Sequence, residues 1–93
     1  MRLLLVEDDE DLRETIAQVL DMGGHRTDAV DSGEMAEVAL RAGHYDLTVL
    51  DLGLPDMDGL ELLRRIRDRR DATPILILTA RDGVEDRIAG LRA

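Results

Sequence analysis

Glu7, Asp8 and Asp9 follow directly on the apolar run Leu3-Leu4-Leu5-Val6, and Asp51 follows a second run, Leu47-Thr48-Val49-Leu50. A third run, Ile75-Leu76-Ile77-Leu78, ends in Thr79-Ala80. Short continuous apolar runs of this kind read as buried strands, so three strand ends carry carboxylates or a hydroxyl. In open parallel α/β sheets, ligands sit beyond the carboxyl ends of the strands. If these ends are neighbours, Glu7, Asp8 and Asp51 share one acidic pocket with Thr79 beside it. Two unit charges ~4 Å apart repel by roughly 4 kcal/mol at an effective dielectric of about 20, and a divalent cation removes that cost. Oxygen ligands and the absence of cysteine favour Mg2+ or a similar hard ion over Zn2+. Mg2+ keeps waters and accepts phosphoryl oxygens. A phosphoryl group is therefore the natural partner, with Asp51 a candidate nucleophile forming an acyl phosphate and the Thr79 hydroxyl a candidate hydrogen-bond donor.

A plainer explanation competes. Acids after a strand often open the next helix and complement its dipole, which is the role expected of Asp9, Glu10 and Asp11. Taken singly, Asp8 or Asp51 serves equally well as a cap or turn residue; their joint placement is what points to chemistry. Other signatures are lacking. Asp56-Met57-Asp58-Gly59 holds only fragments of a calcium-loop pattern. The chain has no G-x-x-x-x-G-K-[ST] loop, and no glycine fingerprint follows the first strand.

The elements that must position these residues follow from periodicity. From Asp11 to Met22, the apolar residues Leu12, Ile16, Val19 and Leu20 mark one helical face, closed by Gly23-Gly24. Residues 25–30 form a short, mostly polar edge strand. Ser32 is a suitable N-cap for a helix whose expected apolar face is Met35, Val38, Ala39 and Ala42, ended by Gly43. A loop with Gly53, Pro55 and Gly59 leads into a helix from Leu60 to about Arg70, with Leu60, Leu63 and Ile66 on one side. Pro74 precedes the third apolar run, and Val84, Ile88 and Leu91 give a last helix. The order βαβαβαβα implies an α/β fold with a parallel sheet. Runs 3–6, 47–50 and 75–78 read as interior strands, so 75–78 reads as a strand whose outer neighbour is missing.

Composition narrows the function classes. The chain has 93 residues, enough for one domain, and a formal net charge of -9; all its cations are Arg and it has no Lys. That acid excess argues against direct binding to nucleic acid or to an anionic membrane surface. No apolar run approaches a membrane span, and the N-terminus lacks the pattern of a signal peptide. A cytoplasmic location is expected. Tyr45 is the sole aromatic, too few to stack bases or flavin rings. His25 and His44 fall at element boundaries, and no role is assigned to them.

The assembled motifs resemble response-regulator receiver domains. Leu4-Leu5-Val6-Glu7-Asp8-Asp9 resembles their opening, Asp51-Leu52-Gly53-Leu54-Pro55-Asp56-Met57-Asp58-Gly59 their phosphoacceptor loop, and Pro74-Ile75-Leu76-Ile77-Leu78-Thr79-Ala80-Arg81 their fourth strand and switch threonine. The style is closest to the OmpR/PhoB type, regulators with a winged-helix effector. The resemblance implies a flavodoxin-like (CheY-like) doubly wound parallel sheet with strand order 2-1-3-4. It implies that Asp51 receives phosphate from a sensor histidine kinase, that Glu7, Asp8 and Asp51 hold Mg2+ with the backbone carbonyl of Gly53, and that Thr79 and the Ala80 N–H face the phosphoryl group. It implies a switch controlling transcription rather than a metabolic enzyme.

The family continues past this point with a fifth strand, a fifth helix and a Lys that pairs with the phosphoryl group. Residues 1–93 therefore read as an incomplete receiver lacking that strand and helix, without an effector domain of its own for DNA. Loss of the Lys implies impaired self-phosphorylation, and the bare strand 75–78 implies self-association. Two rivals remain: a phosphorylation-independent interaction or dimerisation fragment, and a phosphotransfer enzyme of the haloacid-dehalogenase type. The latter needs D-x-D-x-T, and Asp51-Leu52-Gly53 lacks the second Asp.

Overall fold

Strands and helices alternate through residues 1–78, the residues that the computed structural model describes. The order is β1 (Arg2–Val6), α1 (Glu10–Met22), β2 (Arg26–Val30), α2 (Gly33–Ala42), β3 (Leu47–Asp51), α3 (Gly59–Asp68) and β4 (Ile75–Leu78). The expected last helix, Thr79 and Ala80 lie outside the described residues.

The strands form one parallel sheet in the order β2-β1-β3-β4, the order expected of a flavodoxin-like fold. The chain steps from β1 to β2 on one side, then crosses to β3 on the other. The switch point of the winding therefore lies between β1 and β3, where such sheets open a crevice at the carboxyl ends.

Side-chain oxygens start each helix. Asp9 Oδ1 accepts from the Leu12 N–H at 3.0 Å, Ser32 Oγ from Met35 N–H at 3.2 Å and Asp58 Oδ1 from Leu60 N–H at 2.9 Å. Each satisfies one of the amides that a helix start leaves without an internal partner. Gly24, at φ 86°, turns the chain out of α1 in a conformation that costs glycine little.

The main core lies on one face of the sheet. Leu4, Val6, Leu50, Ile75 and Ile77 from the strands meet Ala36 and Leu40 of α2 and Leu62, Leu63 and Ile66 of α3, with Tyr45, Leu52 and Leu54 at the margins. This corrects the expected α2 face. Met35 and Val38 are about half exposed, while Gly33, Ala36 and Leu40 point inward. Small residues let α2 lie close to the sheet, and Glu37, bonded to Arg65 of α3, must stay at the rim. On α3 the inward set is Leu62, Leu63 and Ile66, with Leu60 only partly buried.

The opposite face buries Leu3, Leu5 and Val49, and α1 packs there against β1 and β2. No α1 residue is fully buried, and Leu12 and Val19 of its expected apolar face are 46% and 62% exposed. β4 alternates likewise: Ile75 and Ile77 are buried, whereas Leu76 and Leu78 are 42% and 39% exposed. A continuous apolar run reads as covered on both faces; among the described residues only the α2–α3 face of β4 is.

Candidate metal and phosphoryl centre

The register of β1 and β3 builds the site. Leu3 faces Leu47 and Val6 faces Leu50, so each strand delivers an acid just past the same level: Glu7 from one, Asp51 from the other. The Glu7 N–H donates to the Val30 carbonyl at 3.1 Å, holding the end of β1 against β2. Asp8 follows where the chain leaves the sheet for α1. The carboxylates of Glu7, Asp8 and Asp51 offer ligand oxygens that all lie within 4.8 Å of one another.

Their environments differ. Glu7 is only 5% exposed, Asp51 is half-buried and Asp8 is exposed. Burial pushes the Glu7 carboxyl up, and the neighbouring Asp51 and then Asp8 push it further, to about 7. Its Oε2 is buried and finds no hydrogen-bond partner. An orphaned buried oxygen facing two further carboxylates is a defect in an isolated fold. It fits a hard cation taking oxygen ligands.

The β3–α3 loop is fixed at several points. The Gly53 N–H donates to Asp51 Oδ1 at 3.3 Å. Gly53 and Asp58 form an antiparallel bridge, and the Gly59 N–H donates to the Leu52 carbonyl at 2.9 Å. Gly59 packs so tightly that a Cβ there would stand 2.6 Å from Leu52 Cα.

The structure thus brings together Glu7, Asp8, Asp51 and the Gly53 backbone; Thr79 and Ala80 fall outside the described residues. Two participants escaped the sequence reading. Arg13 Nη1 donates to the carbonyls of Glu7 and Asp8 at 3.1 and 3.4 Å, pinning the β1–α1 turn. A lone cation one turn into an acidic helix start was its only signal. Asp56, inside the loop motif but given no role, bonds the backbone of α2.

Comparison with known proteins agrees with this geometry. The model of the response regulator receiver domain family matches residues 3–93. The transcriptional regulatory protein BasR of Escherichia coli is 52% identical over 91 residues, covering 98% of this chain and 41% of BasR. The two-component response regulator PhoP of Pseudomonas aeruginosa is 46% identical over 93 residues, covering all of this chain and 41% of PhoP. The chain thus spans about two fifths of the length of these relatives. Among solved structures, the non-phosphorylated HemR receiver domain of Leptospira biflexa superposes with a TM-score of 0.86 at 40% identity, covering 98% of this chain and 73% of that one. The response regulator TrrA of Thermotoga maritima, crystallised in complex with Mg2+-BeF, superposes with a TM-score of 0.83 at 34% identity, covering 87% and 70%.

Proposed function

The chain belongs to the response regulator receiver family, and from that premise we propose that it is a phosphoacceptor switch whose Asp51 takes a phosphoryl group from a sensor histidine kinase. The observation that carries the proposal is the convergence of Glu7, Asp8 and Asp51 within 4.8 Å at the β1/β3 crevice, with the Glu7 carboxyl pushed up to about 7 by burial and then by Asp51 and Asp8.

Glu7, Asp8, Asp51 and the carbonyl of Gly53 are the residues that would hold Mg2+, the ion that accompanies BeF in TrrA. When bound, Mg2+ supplies positive charge to the carboxylates and to a transferring phosphoryl group. One Asp51 oxygen attacks phosphorus; the new O–P bond forms as the N–P bond to the donor imidazole breaks, and the bonding pair leaves on nitrogen. The Gly53 N–H, already on Asp51 Oδ1, orients the carboxylate. Arg13 keeps the Glu7–Asp8 turn in place. Thr79 then donates its hydroxyl to the phosphoryl group, and the Ala80 N–H assists.

The parent protein is proposed to act in the cytoplasm, as a transcription regulator whose DNA contacts belong to an effector outside these 93 residues, as the names of its relatives suggest. No helix among the described residues is long and apolar enough to cross a membrane. The half-exposed Leu76 and Leu78 support self-association through β4, and light scattering that finds a monomer at every concentration removes that part.

Incubation with Mg2+ and a small acyl-phosphate donor should add one phosphoryl group by intact mass. Asp51→Asn should abolish the gain; incorporation that persists in this variant overturns the assignment of Asp51.

A further inference from the structure

Asp56 stands at the tip of the β3–α3 loop, remote in sequence from α2, yet both of its carboxylate oxygens are engaged there. Oδ1 accepts from the Gly33 N–H and Oδ2 from the Glu34 N–H, each at 2.9 Å. These are first-turn amides of α2, which have no partner within the helix. Ser32 serves the next one, on Met35. The start of α2 is thus capped twice, once by its own chain and once by the loop that follows Asp51.

A second contact shows that the two segments are shaped for each other. Met57 lies directly over Gly33, and a Cβ on Gly33 would meet its Sδ at 2.6 Å. The loop tip is held on α2 by a charged residue and by its apolar neighbour side by side. Its base is closed by the Gly53–Asp58 bridge, and Gly53 in turn bonds Asp51. A continuous set of contacts runs from the first turn of α2 through Asp56 and the closed loop to the carboxylate of Asp51.

We infer that Asp56 is a positioning residue of the cation site: by clamping the loop tip to α2, it fixes the direction of the Gly53 backbone and of the Asp51 side chain. The inference rests on the reading of Glu7, Asp8, Asp51 and Gly53 as Mg2+ ligands. Mg2+ demands near-ideal octahedral geometry, so a loop free to rock at its tip holds it poorly even when every ligand is present. Asp56 itself touches neither cation nor phosphoryl group.

The test separates positioning from mere support of α2. Ser32→Ala removes the other side-chain bond at the same helix end, at a cost of about 1 kcal/mol, and leaves the loop untouched. Mg2+ affinity is measured by titration calorimetry on the full chain, Asp56→Ala, Asp56→Asn, Ser32→Ala and Asp51→Asn, with thermal melts of each. Asp56→Ala should bind Mg2+ about tenfold more weakly than the full chain. Asp56→Asn, which keeps one acceptor oxygen, should fall between the two and carries the test if the Ala variant does not fold. Ser32→Ala should melt earlier yet bind as tightly as the full chain. Full-chain affinity in the Asp56 variants, or equal weakening in the Asp56 and Ser32 variants, overturns the inference alone. A full chain that binds no more Mg2+ than Asp51→Asn removes the cation site and the inference with it.

Discussion

Val6 and Leu50 stand opposite each other in neighbouring parallel strands, and the next residue on each strand is a carboxylate of the candidate site. Val6 and Leu50 are both fully buried. A slip of one residue would turn Leu4, Val6 and Leu50 out of the core. The burial that stabilises the sheet is therefore also what sets Glu7 against Asp51, and the chemistry cannot drift without unfolding the strands that carry it.

The Glu7 carboxyl gives the metal-free protein a distinctive pH response. Its value in the fold, about 7, lies above the ordinary 4.5, so between those limits the folded state binds more protons than the unfolded chain. Stability then falls as pH rises through that window. Metal-free melting temperature should drop between pH 4.5 and 7, and Glu7→Gln should flatten that part of the profile. Mg2+ should restore stability most strongly at the alkaline side, where no proton has to be displaced. Melting curves with and without Mg2+ across this range check both statements.

Tyr45 should matter to stability but not to cation binding. Its ring is buried, its hydroxyl donates to Asp28 Oδ2 at 2.7 Å, and the Arg2 guanidinium lies 4.6 Å from the ring centroid. The Tyr45 hydrogen bond, followed by Arg2, holds the Asp28 carboxyl below its usual range. Tyr45→Phe should cost about 1–2 kcal/mol in urea unfolding near neutral pH. It should also lessen the loss of stability seen on acidification below pH 3.8, the ordinary value of that group, because a carboxyl with a lowered folded value contributes only above it.

Two glycines predict opposite tolerances. Gly59→Ala drives its new methyl against Leu52 Cα at 2.6 Å and the Asp51 carbonyl oxygen at 2.9 Å, backbone atoms that can yield only by moving β3. A loss of about 2 kcal/mol is expected, together with weaker phosphorylation. Gly33→Ala meets Met57 Sδ at 2.6 Å and Cγ at 2.7 Å, side-chain atoms that a rotamer change can move without shifting backbone, and alanine favours the helix. Its melting temperature should stay much closer to the wild type. Parallel melts and mass-detected phosphorylation of both variants decide the contrast.

Much of this was legible in the residues. The continuous runs 3–6, 47–50 and 75–78 marked β1, β3 and β4 within a residue, because strands covered on both faces of a parallel sheet carry apolar side chains on both, although β4 is covered on only one among the described residues. Glu7, Asp8 and Asp51 were legible because each sits at the end of such a run. The α2 face was misjudged: in an alanine-rich helix several stripes are apolar, and which one turns inward depends on how closely the backbone approaches the sheet, here at Gly33 and Ala36. Arg13 and Asp56 were missed for a related reason. Both act on backbone atoms of distant or turning segments, and side-chain-to-backbone pairing leaves no complementary residue type to recognise.

Arg2 binds three ways at the far end of the sheet: its N–H to Asp46, its guanidinium to the His44 carbonyl and to Asp28. It thereby stitches the first strand to β2 and to the segment entering β3, at the opposite end of the strands from Asp51. The molecule has, in effect, a foot and a head. Substitutions at the foot should raise or lower its heat tolerance while leaving the Glu7, Asp8 and Asp51 carboxylates at the head in place, so stability is open to adjustment by anyone re-engineering the chain without touching the candidate site.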